Sequence, residues 1–505
     1  MSIYFDFYTN TMDININYNN IKSNYLKIRE YTGLGQYCIP VVKADAYGFG
    51  AIDVVKNLLD LDEPQRKYFV FCLDEALKIK EYFRDKITDI YVLCGNLRGE
   101  AKTFLDNNFI PVINNFTELY ELCDEIKKQG RKNFKIAIQF NTGMNRNGFD
   151  IKDIEQVKQF IENTKELTVD MILTHFGCAD SIDNRMTQQQ INNINILLKY
   201  FPKIKKSFCS TSAALNIKNC IYDCVRIGYG MYGSSDTALH LKQALTITGK
   251  IYKNNESYYL KFGMNNGIFA HFNEDAYVMV DGKKVHYKKV LKNKLILDLD
   301  KNTYTNLRNK TALVVGEDGK NNINIDTFSG FFNSNREEMY CRLLANYSIN
   351  NYKCKYCKST IRFNKNKVES CYSKITEIRE VENDGWVGYG ATNDIKKGDI
   401  LAVVIGGFAD FMPRCLSNNH KVIVKTIKNE LIRCLICGRV SMDQFVIRIP
   451  KKYKNDVKIY CDVILVDTKK NIHFTKKLHR DEINHMLYNA KRRVSINDTF
   501  TFPLT

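Results

Sequence analysis

From about residue 12 to residue 235, short apolar runs alternate with longer amphipathic stretches. The runs include Tyr37-Cys38-Ile39-Pro40-Val41-Val42, Tyr68 to Cys72, Ile90 to Cys94, Ile110 to Ile113, Lys135 to Ile138 and Met171 to His175. Between them lie helical patterns such as Asn115 to Gln129 and Asp153 to Asn163. A β-then-α rhythm of about thirty residues per unit predicts parallel strands with crossover helices. Seven or eight such units fit an α/β architecture of the TIM-like (β/α)8 barrel type. An open doubly wound sheet competes, but the first βα turn lacks a Gly-x-Gly-x-x-Gly sequence.

The 505 residues suffice for roughly three domains. After residue 240 the texture changes to short alternating runs such as Ala276 to Gly282, Ala312 to Val315 and Leu401 to Ile405, which read as β-rich. A faint repeat supports two copies of one β domain. Arg336-Glu337-Glu338-Met339 with Ser348-Ile349-Asn350 parallels Arg480-Asp481-Glu482-Ile483 with Ser495-Ile496-Asn497, and Val278 to Lys283 parallels Val422 to Lys428. The expected division is a barrel over 12–240, a first β domain over 241–352, a polar Lys/Asn-rich linker over 353–371 and a second β domain over 372–505.

No apolar run of about 18 residues occurs, and Met1 to Asn10 lacks a basic region followed by an apolar core. The expectation is a cytoplasmic protein with no membrane partner, whose sixteen cysteines stay reduced. The close pairs Cys354/Cys357 and Cys434/Cys437 fall short of a four-ligand zinc site, so no metal is expected. The formal charge of +18 comes from lysines dispersed among asparagines, without a basic stripe beside an aromatic platform. No nucleic-acid partner is expected, although such a surface attracts anionic ligands.

Chemistry concentrates first in Val41-Val42-Lys43-Ala44-Asp45-Ala46-Tyr47-Gly48-Phe49-Gly50. A strand end followed by a small-residue turn presents the Lys43 amine at a barrel mouth, and a partly desolvated amine is a good Schiff-base former. Other segments at predicted strand ends or turns are Asn141-Thr142-Gly143-Met144-Asn145-Arg146, Thr174-His175-Phe176, Ser210-Thr211-Ser212-Ala213-Ala214 and Val225-Arg226-Ile227-Gly228-Tyr229. Two more lie in the β-rich part, Val387-Gly388-Tyr389-Gly390-Ala391-Thr392 and Gly438-Arg439-Val440-Ser441-Met442-Asp443.

In order and approximate spacing these segments resemble the alanine racemase family, apart from residues 250–370. The resemblance implies pyridoxal 5'-phosphate (PLP) on Lys43, with Tyr47, Ser212 and the backbone near Gly228 and Tyr229 around its phosphate. Ser212 also reads as a helix N-cap. Arg226 would face the ring nitrogen, where an arginine that keeps its proton makes the ring a weaker electron sink, with His175 stacked behind it. Lys43 and Tyr389 would be the two bases on opposite faces of the substrate Cα, provided that cations such as Arg226 and His175 make the tyrosine a usable base. Arg146 would hold Tyr389 or the substrate carboxylate, the Met442 N–H would contact that carboxylate, and Asp443 would order its loop. The implied activity is interconversion of L- and D-alanine, serving D-alanine biosynthesis, in a homodimer whose tyrosine crosses from the partner subunit.

Three departures stand out. Gln139 occupies the place of a carbamoylated lysine, and Asn141 that of an aspartate. A C-terminal phosphate tyrosine is missing, with Arg480 or Arg336 near its place. The extra copy carries Tyr258 to Met264 where the tyrosine loop is expected, and so reads as catalytically empty. Alternatives to the alanine racemase are a serine or broad-spectrum racemase, a barrel-type PLP decarboxylase and a degenerate PLP-binding protein.

Overall fold

The structure is a computed structural model. It describes residues 12–95, 98–180, 184–217, 219–233, 239–253, 257–260, 277–280, 283–290, 295–299, 311–315, 351–353, 360–364, 367–410, 412 and 414–467.

Eight parallel strand positions build the N-terminal part: Cys38–Pro40, Lys67–Val70, Asp89–Val92, Ile110–Ile113, Phe134–Asn141, Leu167–Leu173, Lys205–Ser207 continuing through Cys209–Ser210, and Val225–Ile227. Adjacent strands pair in parallel. A bridge from Val41 to Phe69 closes the ring between the first and second positions. This is the expected (β/α)8 barrel. Its strands read as continuous apolar runs because both faces are covered, one by the barrel interior and the other by helices. Ile39, Val70, Val92, Val112, Ile138, Ile172 and Val225 are all fully buried.

Local chemistry fixes the helix starts. Asn115 caps Phe116–Lys128 by accepting from the Glu118 N–H at 3.0 Å, and the Glu118 carboxylate accepts from the Asn114 N–H at 2.8 Å. Such a reciprocal cap stabilises a helix by about 1 kcal/mol. No helix among the described residues is long and apolar enough to cross a membrane.

The β-rich part contains two closed antiparallel barrels of identical topology. In the first, the strands are Leu245–Lys253, Tyr258–Leu260, Tyr277–Val280, Lys283–Val290, Leu295–Leu297 and Thr311–Val315. In the second they are Lys367–Glu380, Ile400–Ile405, Lys421–Lys425, Leu431–Cys437, Gln444–Ile449 and Asp462–Asp467. Both close in the order first, second, fifth, fourth, third, sixth, first. Each first strand also carries one extra antiparallel neighbour, Met12–Ile16 in the first barrel and Thr360–Asn364 in the second.

The structure corrects two sequence expectations. The stretch 353–371 is not a plain linker: Thr360–Asn364 and Lys367–Glu380 are paired strands, because Thr-Ile-Arg-Phe-Asn has the period-2 alternation that a polar composition obscured. Tyr258–Leu260 does not replace the tyrosine loop. It is the second strand of its barrel, and the loop's place is the short connection 254–257, against 381–399 in the second barrel. Separately, Cys209 and Cys220 face each other, because the loop after Thr211–Asn216 folds back and brings their Cα atoms to 6.5 Å. Cys354, Cys357, Arg336 and Arg480, with the segments that suggested the repeat at 336–350 and 480–497, lie outside the described residues.

Candidate active site

Lys43 follows the first barrel strand and opens a turn, Lys43–Tyr47, that winds left-handed. Ala44, Asp45, Ala46 and Tyr47 have φ of 52, 54, 56 and 56°. Each such residue costs roughly 1–2 kcal/mol, so the turn persists only because its surroundings hold it. The Glu75 carboxylate accepts from the Ala44 N–H and the Phe71 N–H, both at 2.7 Å, and Asp45 accepts from the Ala51 N–H at 2.8 Å. The Lys43 ammonium pairs with the Asp443 carboxylate at 2.5 Å. Asp443 therefore does more than order its loop: it meets the lysine directly, across 400 residues of sequence.

Arg226 extends from the last barrel strand and is buried. Its guanidinium donates to the Ser207 carbonyl, to Ser207 Oγ at 2.8 Å and to the Thr174 carbonyl at 2.6 Å. Desolvation lowers it to about 10, so it remains a cation at neutral pH. It also approaches His175 Nδ1 at 3.4 Å, and His175 Nε2 lies 2.8 Å from Tyr389 Oη. Desolvation, then the charges of Arg146, Arg226 and Lys43, hold the imidazole well below the usual histidine range. The ring is thus neutral. Because a guanidinium only donates, Nδ1 must accept, which leaves the proton on Nε2 to be donated to Tyr389 Oη.

Tyr389 sits in a 3-10 turn, Tyr389–Ala391, at the tip of a hairpin formed by Gly385–Trp386 and Asp394–Ile395. The flanking Gly388 and Gly390 have φ of +76 and +71°, a region that favours glycine. The Arg146 guanidinium lies 5.4 Å from the Tyr389 ring centre, a cation–π contact. Arg146 is presented by a loop organised by Asn141. That side chain accepts from the N–H groups of Gly143 (3.1 Å) and Asn145 (2.9 Å) and donates to Asn145 Oδ1 and Asp150 Oδ1, both at 2.9 Å. An aspartate could make the first two bonds but not the last two. Gln139 donates to the Asn147 carbonyl at 3.3 Å and so supports the loop beside Arg146.

Tyr47 and Gly228 meet closely: a Cβ on Gly228 would lie 2.2 Å from Tyr47 Oη. The Gly228 N–H donates to Thr211 Oγ1 at 3.2 Å. The N-cap role considered for Ser212 belongs to Ser210, which accepts from the Ala213 N–H at 3.5 Å.

A cavity of about 320 Å³ joins these groups. Lys43, Tyr47, Arg146, His175, Ser212, Arg226, Gly228, Tyr229, Tyr389, Met442 and Asp443 all line it, so every site residue expected from the sequence converges here. Thr211, Asp180, Arg414 and Arg439 line it too and were not singled out. Thr211 and Arg439 belong to the runs Ser210 to Ala214 and Gly438 to Asp443. Asp180 and Arg414 carry no local signal.

The fold and site define a class: a (β/α)8 barrel with a lysine at its mouth, joined to an antiparallel β-barrel domain that contributes a tyrosine. Comparison with known proteins is specific. The family model for the alanine racemase N-terminal domain matches residues 16–236, and that for the alanine racemase C-terminal domain matches 368–495, together more than half of the sequence. The chain belongs to the alanine racemase family. It is 30% identical over 218 residues to the alanine racemase of Rickettsia canadensis, covering 43% of this chain and 60% of that one. It is also 30% identical over 247 residues to that of Carboxydothermus hydrogenoformans, covering 47% and 65%. These matches span less than two thirds of the relatives' lengths. The solved alanine racemase of Acinetobacter baumannii shares the fold, with a TM-score of 0.55 at 24% identity, over 66% of this chain and 98% of that one. That of Corynebacterium glutamicum superposes with a TM-score of 0.56 at 19% identity, over 66% and 97%.

Proposed function

We propose that the chain is a PLP-dependent alanine racemase, with Lys43 and Tyr389 as the two bases. The observation that carries this reading is the entry of both side chains into one cavity, from opposite ends of the sequence, beside Arg226 and Arg146.

The residues fit the cofactor. Arg146 Nε is a buried donor without a hydrogen-bond partner, suited to an anion. Gly228 leaves room for the Tyr47 hydroxyl, and Thr211 and Ser212 add hydroxyls nearby. Lys43 would hold PLP, with Tyr47, Ser212 and the backbone at Gly228 and Tyr229 around its phosphate and Arg226 at its ring nitrogen. When bound, the cofactor supplies an electron sink that makes the substrate Cα–H acidic.

The chain's own groups then divide the work. Lys43 Nζ takes or returns the Cα proton on one face, and Tyr389 Oη does so on the other. His175 donates Nε2–H to the tyrosine oxygen and so favours its proton-accepting form. Arg146 and the Met442 N–H orient the substrate carboxylate. Asp443 pairs with the Lys43 amine whenever it is free of the cofactor.

The resemblance further suggests a cytoplasmic enzyme of D-alanine biosynthesis that forms homodimers, with no nucleic-acid or membrane partner. L-Alanine incubated with holoenzyme in heavy water tests the activity. α-Deuterated D-alanine is expected; deuterium exchange with retained handedness, or no exchange at all, overturns the reading.

A further inference from the structure

In the arrangement implied by the resemblance, the catalytic tyrosine comes from a partner subunit. Here it reaches the barrel mouth of its own chain. The Gly388 N–H donates to the Met144 carbonyl and the Gly390 N–H to the Gly177 carbonyl, both at 2.9 Å. Asn145 Nδ2 donates to the Trp386 carbonyl at 2.7 Å. Trp386, Tyr389 and Ala391 pack on the buried Met144, Cys178 and Met186.

Behind the hairpin, the buried Arg379 donates to the carbonyls of Arg146 and Gly148, both at 2.9 Å, and pairs with Asp150 and Glu377. Buried charges are tolerated only when the pairing is well formed, so this cluster specifies one docked geometry. It also ties the second β barrel to the loop that presents Arg146.

The duplicated topology supplies the second half of the argument. The first β barrel takes its extra strand, Met12–Ile16, from the segment leading into the (β/α)8 barrel, and is thereby rooted beside it. The second fills the same edge with Thr360–Asn364, a strand from its own sequence. One chain thus holds a rooted β barrel without the 381–399 excursion and a self-sufficient β barrel that has it and docks over the mouth.

We propose that one chain completes its own active site: the duplicated β barrel takes the seat that a partner's would fill, and Tyr389 serves the Lys43 of the same chain. Covalent connection makes docking intramolecular, which raises the effective concentration of the second β barrel at the mouth above that of a separate chain. A second chain at micromolar concentration competes poorly. The chemistry assigned to Tyr389 rests on the racemase reading; the docking does not.

The test uses full-length holoenzyme. Lys43→Ala and Tyr389→Phe chains with different tags are coexpressed, and mixed assemblies are isolated through both tags. If none form, activity per wild-type chain is followed on dilution of the monomer. Mixed assemblies as inactive as either parent, or constant activity per monomeric chain, are expected. Regained activity in the mixture, or activity that falls as assemblies dissociate, overturns the proposal.

A readout independent of catalysis comes from Trp386, the single tryptophan. In the smallest species present, its acrylamide quenching should be weaker in wild type than in Arg379→Glu. Equal quenching, with both chains folded by circular dichroism, overturns docking in cis. Absence of racemase activity in wild type would defeat the racemase reading while leaving the Trp386 result to decide docking.

Discussion

His175 and Tyr389 are 214 positions apart, yet Nε2 and Oη lie 2.8 Å from each other. The relay continues to Arg226 through Nδ1, so a cation on the last barrel strand fixes the tautomer that serves a tyrosine on the second β barrel. Because the imidazole is held well below the usual histidine range, it stays neutral through neutral pH. His175→Phe should lower kcat roughly 10-fold or more by removing one donor to the reacting oxygen, with KM little changed. The wild-type pH–rate profile should show no acid limb near pH 6.5 that disappears in His175→Asn; such a limb would contradict the neutral assignment.

Gly228 is held to glycine by a close approach. In Gly228→Ala the new methyl must displace the Tyr47 hydroxyl, which would lie 2.2 Å from it. PLP affinity measured by absorbance titration should fall by about 10-fold or more, since an overpacked site costs about 1–3 kcal/mol. Tyr47→Phe, which loses one hydroxyl and keeps the shape, should lose less.

Asn141→Asp restores the residue expected from the resemblance, yet it should impair this chain. A carboxylate would replace the amide that donates to Asp150 and Asn145, and would bring like charges together. Loss of about 1–3 kcal/mol in the stability of the loop is expected, with a higher KM for alanine as Arg146 loses its support. Steady-state kinetics beside chemical denaturation would check both.

His420 gives a pH-dependent stability prediction away from the site. Desolvation lowers its imidazole to about 4, and it is 2% exposed. The unfolded chain therefore binds a proton below about pH 6.5 that the folded chain refuses until about pH 4. Stability from this group is full above pH 6.5 and falls as pH drops, by about 3 kcal/mol at pH 4. Urea unfolding at pH 7 and pH 5 should show the difference, and His420→Gln should flatten it.

The parallel barrel was legible in the sequence because each βα unit is local: a buried strand is a short apolar run, and the helix after it has its own period. Lys43, Arg226 and Tyr389 were legible because each lies in a short run with glycines or small residues that the chemistry requires. The linker misreading has a physical source, since composition averages over a strand's alternation. Arg379, Asp150 and Glu377 gave no signal, because ordinary charges become a buried cluster only after two domains meet.

By itself the sequence determined the barrel, the lysine at its mouth and the kinds of residue gathered around it, since these follow from periodicity and side-chain chemistry within a few residues. Tertiary structure alone decided that two β barrels close in the same strand order, that Asp443 meets Lys43, and that Tyr389 reaches His175 of its own chain. Strand order, ion pairing and domain seating are relations between segments hundreds of residues apart, and the free energy that selects them comes from surfaces that exist only once the chain has folded.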